Sequence, residues 1–483
     1  MEQEASLKTK TARTLKWNTL DRFSSQILYA ITGIVLANVL PKEDFGLVGA
    51  ILVFQAFATI FVDSGFGAAL LQKKEPTEAD YSTVFWFNLL MASGIYVILY
   101  FCAPGLADLF QKDDRLIPLS RVMFISFIIN GLGIVQTNRL MKAMNVKQIA
   151  ISNIVGLVVS GAAGIWMALT GWGAWALVWQ TIILGTVKTV WLWLTGGWIP
   201  SLTFSTASMK SIYRVGAGVF TSSLLNTIFL NIYSFVIGVW YSLVALGDYT
   251  QADKWSKMGS ASLSQILTAT FVPLLARFQD DGEKYRQMLQ KVNKLTAFML
   301  FPFMGALVVM APAIFHTLFG TKWDTAIILF QILVVRGIFT VLCSLYGNYL
   351  LSLGYAKTMV TVEIVKDAAT LLAIVATVPL GSVEALVWGQ LAAGVITWVA
   401  VLWLTGRATG YGPKVLMQGM GFYLMLTLAA MAVCVLPTLV INSAILLLVS
   451  QIVTGALIYF GLLAVLKDPV LKEARGYILK KKD

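Results

Sequence analysis

The chain has 483 residues, of which 58% are hydrophobic and only 12% charged, with a formal net charge of +12 and a mean hydropathy of +0.77. An average soluble domain is about a quarter charged, so too little polar surface remains to coat a soluble particle of this size. The positive charge falls in short segments between apolar runs, which argues against the basic folded face that nucleic acid needs and for the cytoplasmic excess of Lys and Arg that sets membrane topology.

Inside a bilayer the backbone must satisfy its own hydrogen bonds, as helices or as a closed barrel. Apolar runs of about 20 residues recur, as in Val84 to Phe101 and Ala444 to Val465, whereas barrel strands would alternate over about ten residues. The first 16 residues carry Lys8, Lys10, Arg13 and Lys16 without an apolar core before a cleavage site, and read as a basic cytoplasmic arm. Six spans are then expected near 17–39, 45–70, 82–103, 118–140, 148–170 and 172–195. Six more follow near 211–238, 246–276, 292–318, 324–351, 358–378 and 383–405, and a final pair near 415–437 and 442–466. This is an all-α integral membrane pattern of about 14 transmembrane helices.

With both termini cytoplasmic, about 25 of the 36 Lys and Arg fall inside, about 5 outside and about 6 within spans. The densest basic cluster, Arg277, Lys284, Arg286, Lys291 and Lys294, and the tail Lys480, Lys481 and Lys482 read as anchors to anionic lipid. Cys102, Cys343 and Cys434 are too scattered for a disulfide framework or a zinc site. No cofactor motif, metal-binding motif or nucleophile elbow is found.

An internal repeat is legible. Asn138-Arg-Leu140, Lys147 and Ile154-Val155 match Asn348-Tyr-Leu350, Lys357 and Ile364-Val365 at an offset of 210, and Ala176 to Trp179 matches Ala385 to Trp388 at 209. Asp44-Phe45 and Asp248-Tyr249 are a weaker echo. The offset spans an even number of helices, so the copies share one orientation, and parallel repeats are related by an axis along the membrane normal. We expect six-helix lobes at residues 1–200 and 201–411 related by that pseudo-two-fold axis, with a substrate site between them, and an appended helix pair with a basic tail at 412–483.

Charges within spans are the most informative residues, because one at mid-bilayer costs at least about 2.5–3.5 kcal/mol unless it meets a partner or a wet cavity. Arg336 lies mid-span with no acid within a helical turn, and is either a cavity cation or half of an interhelical ion pair. In the eighth span Asp253, Lys257, Ser260 and Ser264 share one helical face, flanked by Lys254 and Gln251. That face lines a cavity, or else Asp253 and Lys257 are a local pair. The first span presents Asn18, Arg22, Gln26, Tyr29 and Gly33 as a stripe, with Asp21 a local partner for Arg22. Ser222, Asn226 and Tyr233 form a neutral polar face on the seventh. Asp63 and Glu363 are the acids suited to ion coupling, Glu363 being also placed to pair with Lys366. His316 is read as interfacial, and Ser160-Gly-Ala-Ala-Gly164 as close helix packing.

The runs Val39-Leu-Pro-Lys-Glu-Asp-Phe-Gly46, Asp63-Ser-Gly-Phe-Gly-Ala-Ala-Leu-Leu-Gln72, Tyr81-Ser-Thr-Val-Phe-Trp-Phe-Asn88 and Gly131-Leu-Gly-Ile-Val-Gln-Thr-Asn-Arg139 resemble the polysaccharide transporter family. That family includes Wzx-type and colanic-acid-type flippases and belongs to the multidrug/oligosaccharidyl-lipid/polysaccharide exporter superfamily. The resemblance implies a two-lobed alternating-access bundle in the bacterial inner membrane. It would move undecaprenyl-diphosphate-linked oligosaccharide outward for O-antigen, capsule or exopolysaccharide, in concert with a polysaccharide polymerase and assembly proteins. Related flippases have cationic cavities, and Arg22, Lys254, Lys257 and Arg336 are candidates by depth and charge. A cation-coupled antiporter of the same superfamily and a membrane enzyme of glycan assembly are the rival readings. The first needs an essential cavity carboxylate, the second a larger aqueous catalytic loop than any found here.

Overall fold

The computed structural model describes residues 2–63, 65–278 and 281–473, and among these no strand occurs. Lys480, Lys481 and Lys482 lie outside the described residues. The chain divides into two compact units, Met1–Gly247 and Asp248–Asp483. Among the described residues eleven helices are long and apolar enough to cross a membrane.

The first unit holds α1 (Glu2–Val39), α2 (Lys42–Asp63), α3 (Phe66–Gln72), α4 (Glu78–Leu109), α5 (Leu116–Met123), α6 (Ile125–Lys142), α7 (Val146–Leu169), α8 (Ala174–Gly196) and α9 (Thr206–Trp240). One expected span is corrected in detail. The span at 45–70 is broken: Gly65 takes φ +68°, and a Cβ there would stand 2.4 Å from the Gly216 carbonyl oxygen of α9, so the break needs glycine. The span at 118–140 is one apolar stretch, Leu116–Lys142, in which α5 and α6 join at Phe124.

Small residues let these helices approach. Gly161 of α7 faces Thr32 of α1, and Gly164 faces Gln180 of α8, so the Ser160 to Gly164 run works as helix packing. Helix α4 starts with a capping box, Thr77 Oγ1 accepting from Asp80 N–H and Asp80 Oδ2 accepting from Thr77 N–H at 2.8 Å. The link from α8 to α9 is tied down by the Gln136 amide donating to the Trp198 carbonyl, Trp198 Nε1 donating to Glu78, and Ser201 and Ser205 N–H donating to Ser82 and Thr83. These bonds fix the ends of α4, α6 and α8 against one another.

The second unit holds the body of α10 (Leu243–Ala276), then α11 (Gly282–Leu318), α12 (Asp324–Ser352), α13 (Ala356–Thr377), α14 (Val383–Thr409), α15 (Pro413–Leu416), α16 (Met420–Cys434) and α17 (Ala444–Val465). Helix α14 packs on α12 and α13, while α11 packs on α12, α16 and α17. A buried polar network locks the centre: Tyr349 Oη donates to Asn293 Oδ1 at 2.7 Å, and Asn293 Nδ2 and Tyr346 Oη both donate to the Leu416 carbonyl. The matched sequence blocks fall on α6 and α12, α7 and α13, and the starts of α8 and α14, in the same order. The compact units part at Gly247, later than residue 200, because α9 packs on α2 and because Gly46 and Gly247 let the starts of α2 and α10 touch backbone to backbone. The helices α1, α10 and α13 are the more polar long ones and are not among the eleven apolar spans.

Candidate functional site

The first unit contains a cavity of about 440 Å³ between α2, α6 and α8. Helical periodicity puts its polar groups on common faces. Thr59 and Asp63 are one turn apart on α2; Asn130, Thr137 and Asn138 lie along one side of α6; Lys188 and Thr189 come from α8. Glycine sets the spacing: Gly133 of α6 abuts Thr189, Gly185 of α8 abuts Asn130, and Thr189 Oγ1 donates to the Ile129 carbonyl at 3.0 Å. Helix α2 is pinned to α6 by Gln55 Nε2 donating to Ser126 Oγ at 3.1 Å. Gly67 of α3 closes one side, with Asn138 Nδ2 and Asp63 Oδ1 standing 2.6 and 3.0 Å from where its Cβ would be.

The chemistry is that of a polar, oxygen-rich chamber. Thr59 and Thr137 give their hydroxyl hydrogens to the Gln55 and Gly133 carbonyls, so their lone pairs stay available as acceptors. Among the described residues neither Asp63 nor Lys188 has an oppositely charged group within ion-pair distance. Asp63 is exposed and Lys188 half-buried, so both have room to meet water or a charged ligand within the membrane bundle.

Of the residues singled out from sequence, only Asp63 lines this cavity. Arg22, exposed, and Gln26, half-buried, are on α1, and Asn226 is exposed on α9. Asp21 turns to α7, accepting from Asn153 Nδ2 at 3.0 Å and from Ser25, rather than pairing with Arg22. In the second unit Arg336 is half-buried on α12, its stem against Gly394 of α14, and among the described residues no carboxylate pairs with it. Lys257 pairs with Asp253 at 2.5 Å on its own helix, and Lys254 lies over the Trp255 ring. On the lower part of that face Ser260 packs on Gly337, and Ser264 Oγ donates to Ser344 Oγ at 3.2 Å. Glu363 is ion-paired with Lys366, and His316 bonds Asp324.

The cavity residues that sequence reading passed over are Lys188, Asn130 and Thr189, while Thr137 and Asn138 were noticed only in a family motif and, for Asn138, as a repeat marker. Lys188 carried a signal all the same, as a lone charge in the run Leu184-Gly-Thr-Val-Lys188-Thr-Val-Trp191.

Comparison with known proteins decides the family, since a model for polysaccharide biosynthesis proteins matches residues 35–328, more than half of the chain. The chain belongs to the polysaccharide biosynthesis protein family. The chain is 27% identical to the teichuronic acid biosynthesis protein TuaB of Bacillus subtilis, over 80% of this chain and 81% of the relative. It is 26% identical to the succinoglycan biosynthesis transport protein ExoT of Rhizobium meliloti, over 84% and 82%. Among solved structures it resembles the lipid II flippase MurJ in an inward closed conformation, with a TM-score of 0.77 at 13% identity, over 94% of this chain and 99% of that one. That last likeness is one of fold, a multi-pass helical membrane bundle.

Proposed function

We propose that this protein is a flippase that carries an undecaprenyl-diphosphate-linked oligosaccharide from the cytoplasmic to the outer leaflet. The observation that carries the reading is the charged, hydroxyl- and amide-lined cavity of about 440 Å³ inside a bundle of apolar helices. Its size suits a few sugar rings or a diphosphate with its first sugar. Family membership and relatives named for polysaccharide biosynthesis and transport support the substrate class.

The mechanism follows from the carrier's shape. The polyprenyl tail stays in lipid while diphosphate and sugars occupy the polar interior, and the protein exposes that interior to each side in turn. Lys188 supplies a point charge for phosphate; in the second unit Arg336, with no carboxylate paired to it among the described residues, is a further candidate whose planar fork suits bidentate contact. Lys257 is held by Asp253, so it serves only if that pair opens. No bond is made or broken, which sets this reading against an enzyme of glycan assembly. With the cell interior negative, moving an anion outward is favoured by about 2.3 kcal/mol per charge per 100 mV.

The same reading takes both termini as cytoplasmic in the inner membrane, counts α1, α10 and α13 as spans to reach fourteen helices, and pairs two six-helix halves about an axis along the membrane normal. It treats α16 and α17 as an appended pair and a glycan polymerase as a partner. Asp63 in the cavity is the observation that favours the antiporter alternative. A leaflet assay in proteoliposomes separates the readings: labelled lipid-linked oligosaccharide moves without covalent change if the proposal holds. A covalently altered product would favour the enzyme. Exchange of small cations with no lipid movement would favour the antiporter.

A further inference from the structure

A second cavity of the first unit, of about 410 Å³, shares no lining residue with the chamber between α2, α6 and α8. Thr14 and Trp17 of α1 form one wall, and the α6–α7 turn, Ala143 to Gln148, forms the other. Helices α6 and α7 both belong to apolar spans, so the turn between them sits at the edge of the bilayer. The two walls are tied by Thr14 Oγ1 donating at 3.3 Å to the carbonyl of Met144, a residue in left-handed backbone at φ +54°.

The lining supplies donors and no acid. Lys147 is half-buried with its ammonium 5.8 Å from the centre of the Trp17 ring, and among the described residues no carboxylate stands within ion-pair distance of it. Gln148 accepts from Trp191 Nε1 at 3.2 Å on its amide oxygen, which leaves its amide hydrogens to donate. Asn145 is exposed, and its side chain does not cap α7. The rim, by contrast, is apolar: Met144 is exposed, as are Leu20 and Phe23 on the turns of α1 that follow Trp17. A cation beside an aromatic ring, with polar donors on one side and apolar side chains on the other, matches the boundary between headgroups and acyl chains. From Ala5 to Leu20 the chain carries Lys8, Lys10, Arg13 and Lys16 and no acid, a field that attracts anionic lipid.

The duplicated half supplies the contrast. Leu350, Gly354 and Lys357 stand where the offset of 210 places Leu140, Met144 and Lys147. The turn itself is the same: Tyr355 N–H donates to the Leu350 carbonyl at 2.8 Å as Asn145 N–H does to Leu140, and Gly354 takes φ +80°. Lys357 is exposed, and among the described residues no ring lies against it. One lysine therefore sits in a walled cavity while its copy meets the surroundings directly.

We propose that the cavity between α1 and the α6–α7 turn binds the phosphodiester headgroup of an anionic phospholipid. Lys147 pairs with the phosphate, Asn145 and Gln148 donate to phosphate or headgroup oxygens, and the acyl chains lie along the apolar rim. The volume falls within the range of about 300–1,000 Å³ for small-molecule sites. A lipid held there clamps the basic arm of α1 to the α6–α7 turn. Nothing in this inference depends on what the protein transports.

The test is native mass spectrometry of the purified full-length protein, released from detergent after titration with dioleoyl phosphatidylglycerol or with zwitterionic dioleoyl phosphatidylcholine. The first phosphatidylglycerol is expected to bind ~10-fold more tightly than phosphatidylcholine, and Lys147→Ala to weaken it ~10-fold. Lys357→Ala, which removes the same charge from the duplicated turn, should leave that affinity unchanged. Trp17→Ala, expected to weaken binding ~3-fold, stands in should Lys147→Ala fail to fold. Equal affinities for the two lipids would overturn the proposal, as would an affinity unchanged in Lys147→Ala or in its stand-in. An equal loss in Lys147→Ala and Lys357→Ala would reduce the effect to net charge and overturn it too. Glycerophosphoglycerol, the same headgroup without chains, is titrated in parallel; binding as tight as that of the lipid would assign the cavity to a soluble phosphate ester instead.

Discussion

Gly65 and Gly67 flank the same break but meet different neighbours. A side chain at Gly65 would be strained at φ +68° and would press on the backbone of α9. Strain of this kind costs about 1–3 kcal/mol, so Gly65→Ala should lower Tm clearly in thermal unfolding. A side chain at Gly67 would meet only the ends of the Asn138 and Asp63 side chains, which can turn aside. Gly67→Ala should therefore leave Tm nearly unchanged while displacing the two cavity groups. At the α4–α5 turn, hydrogen bonds from the Arg115 guanidinium hold the Asp113 carboxyl below the usual carboxylate range. A depressed folded-state pKa gives stability that is present above the unfolded value, about 3.9, and lost as pH falls through the folded value. The Tm difference between the wild type and Asp113→Asn should therefore shrink as pH falls below about 4.

At the scale of elements, most helices were legible because an apolar run of about 20 residues has one stable form in lipid. What composition hides is a break that keeps the run apolar. Ser64-Gly-Phe-Gly67 has the look of ordinary small-residue packing, and only the approach of Gly216 from α9 explains why Gly65 turns the chain there. The site was less legible than the fold. Asp63 could be picked out as an acid in a span, but Lys188 lies six helices and more than a hundred residues further along the chain. The chamber they share exists only once α2, α6 and α8 are packed. The face carrying Asp253, Lys257, Ser260 and Ser264 shows the converse: its periodicity was correct, yet Gly337 and Ser344 of α12 cover its lower end. The Thr268 and Asn348 pair is part of that seam. Asn348→Ala should cost about 1–2 kcal/mol by leaving a seam hydroxyl unpartnered, seen as a lower Tm with transport retained.

For the whole molecule, the positive-inside bias sets an orientation that labelling can test. In a background lacking Cys102, Cys343 and Cys434, a cysteine at Asp114 should react with a membrane-impermeant maleimide on intact cells. One at Gly282 should react only after permeabilisation. The reverse pattern would invert the topology and with it the direction of transport. The central claim is that the polar chamber of the first unit receives the anionic headgroup, and Lys188 is its cation. Losing one charge-assisted contact of about 1.5–3 kcal/mol corresponds to a ~10- to 100-fold slower step. The most direct measurement is the rate at which labelled lipid-linked oligosaccharide crosses between leaflets in proteoliposomes of wild type, Lys188→Ala and Lys188→Arg. The account predicts a loss of that size for alanine and substantial retention for arginine; equal rates in wild type and Lys188→Ala would contradict it.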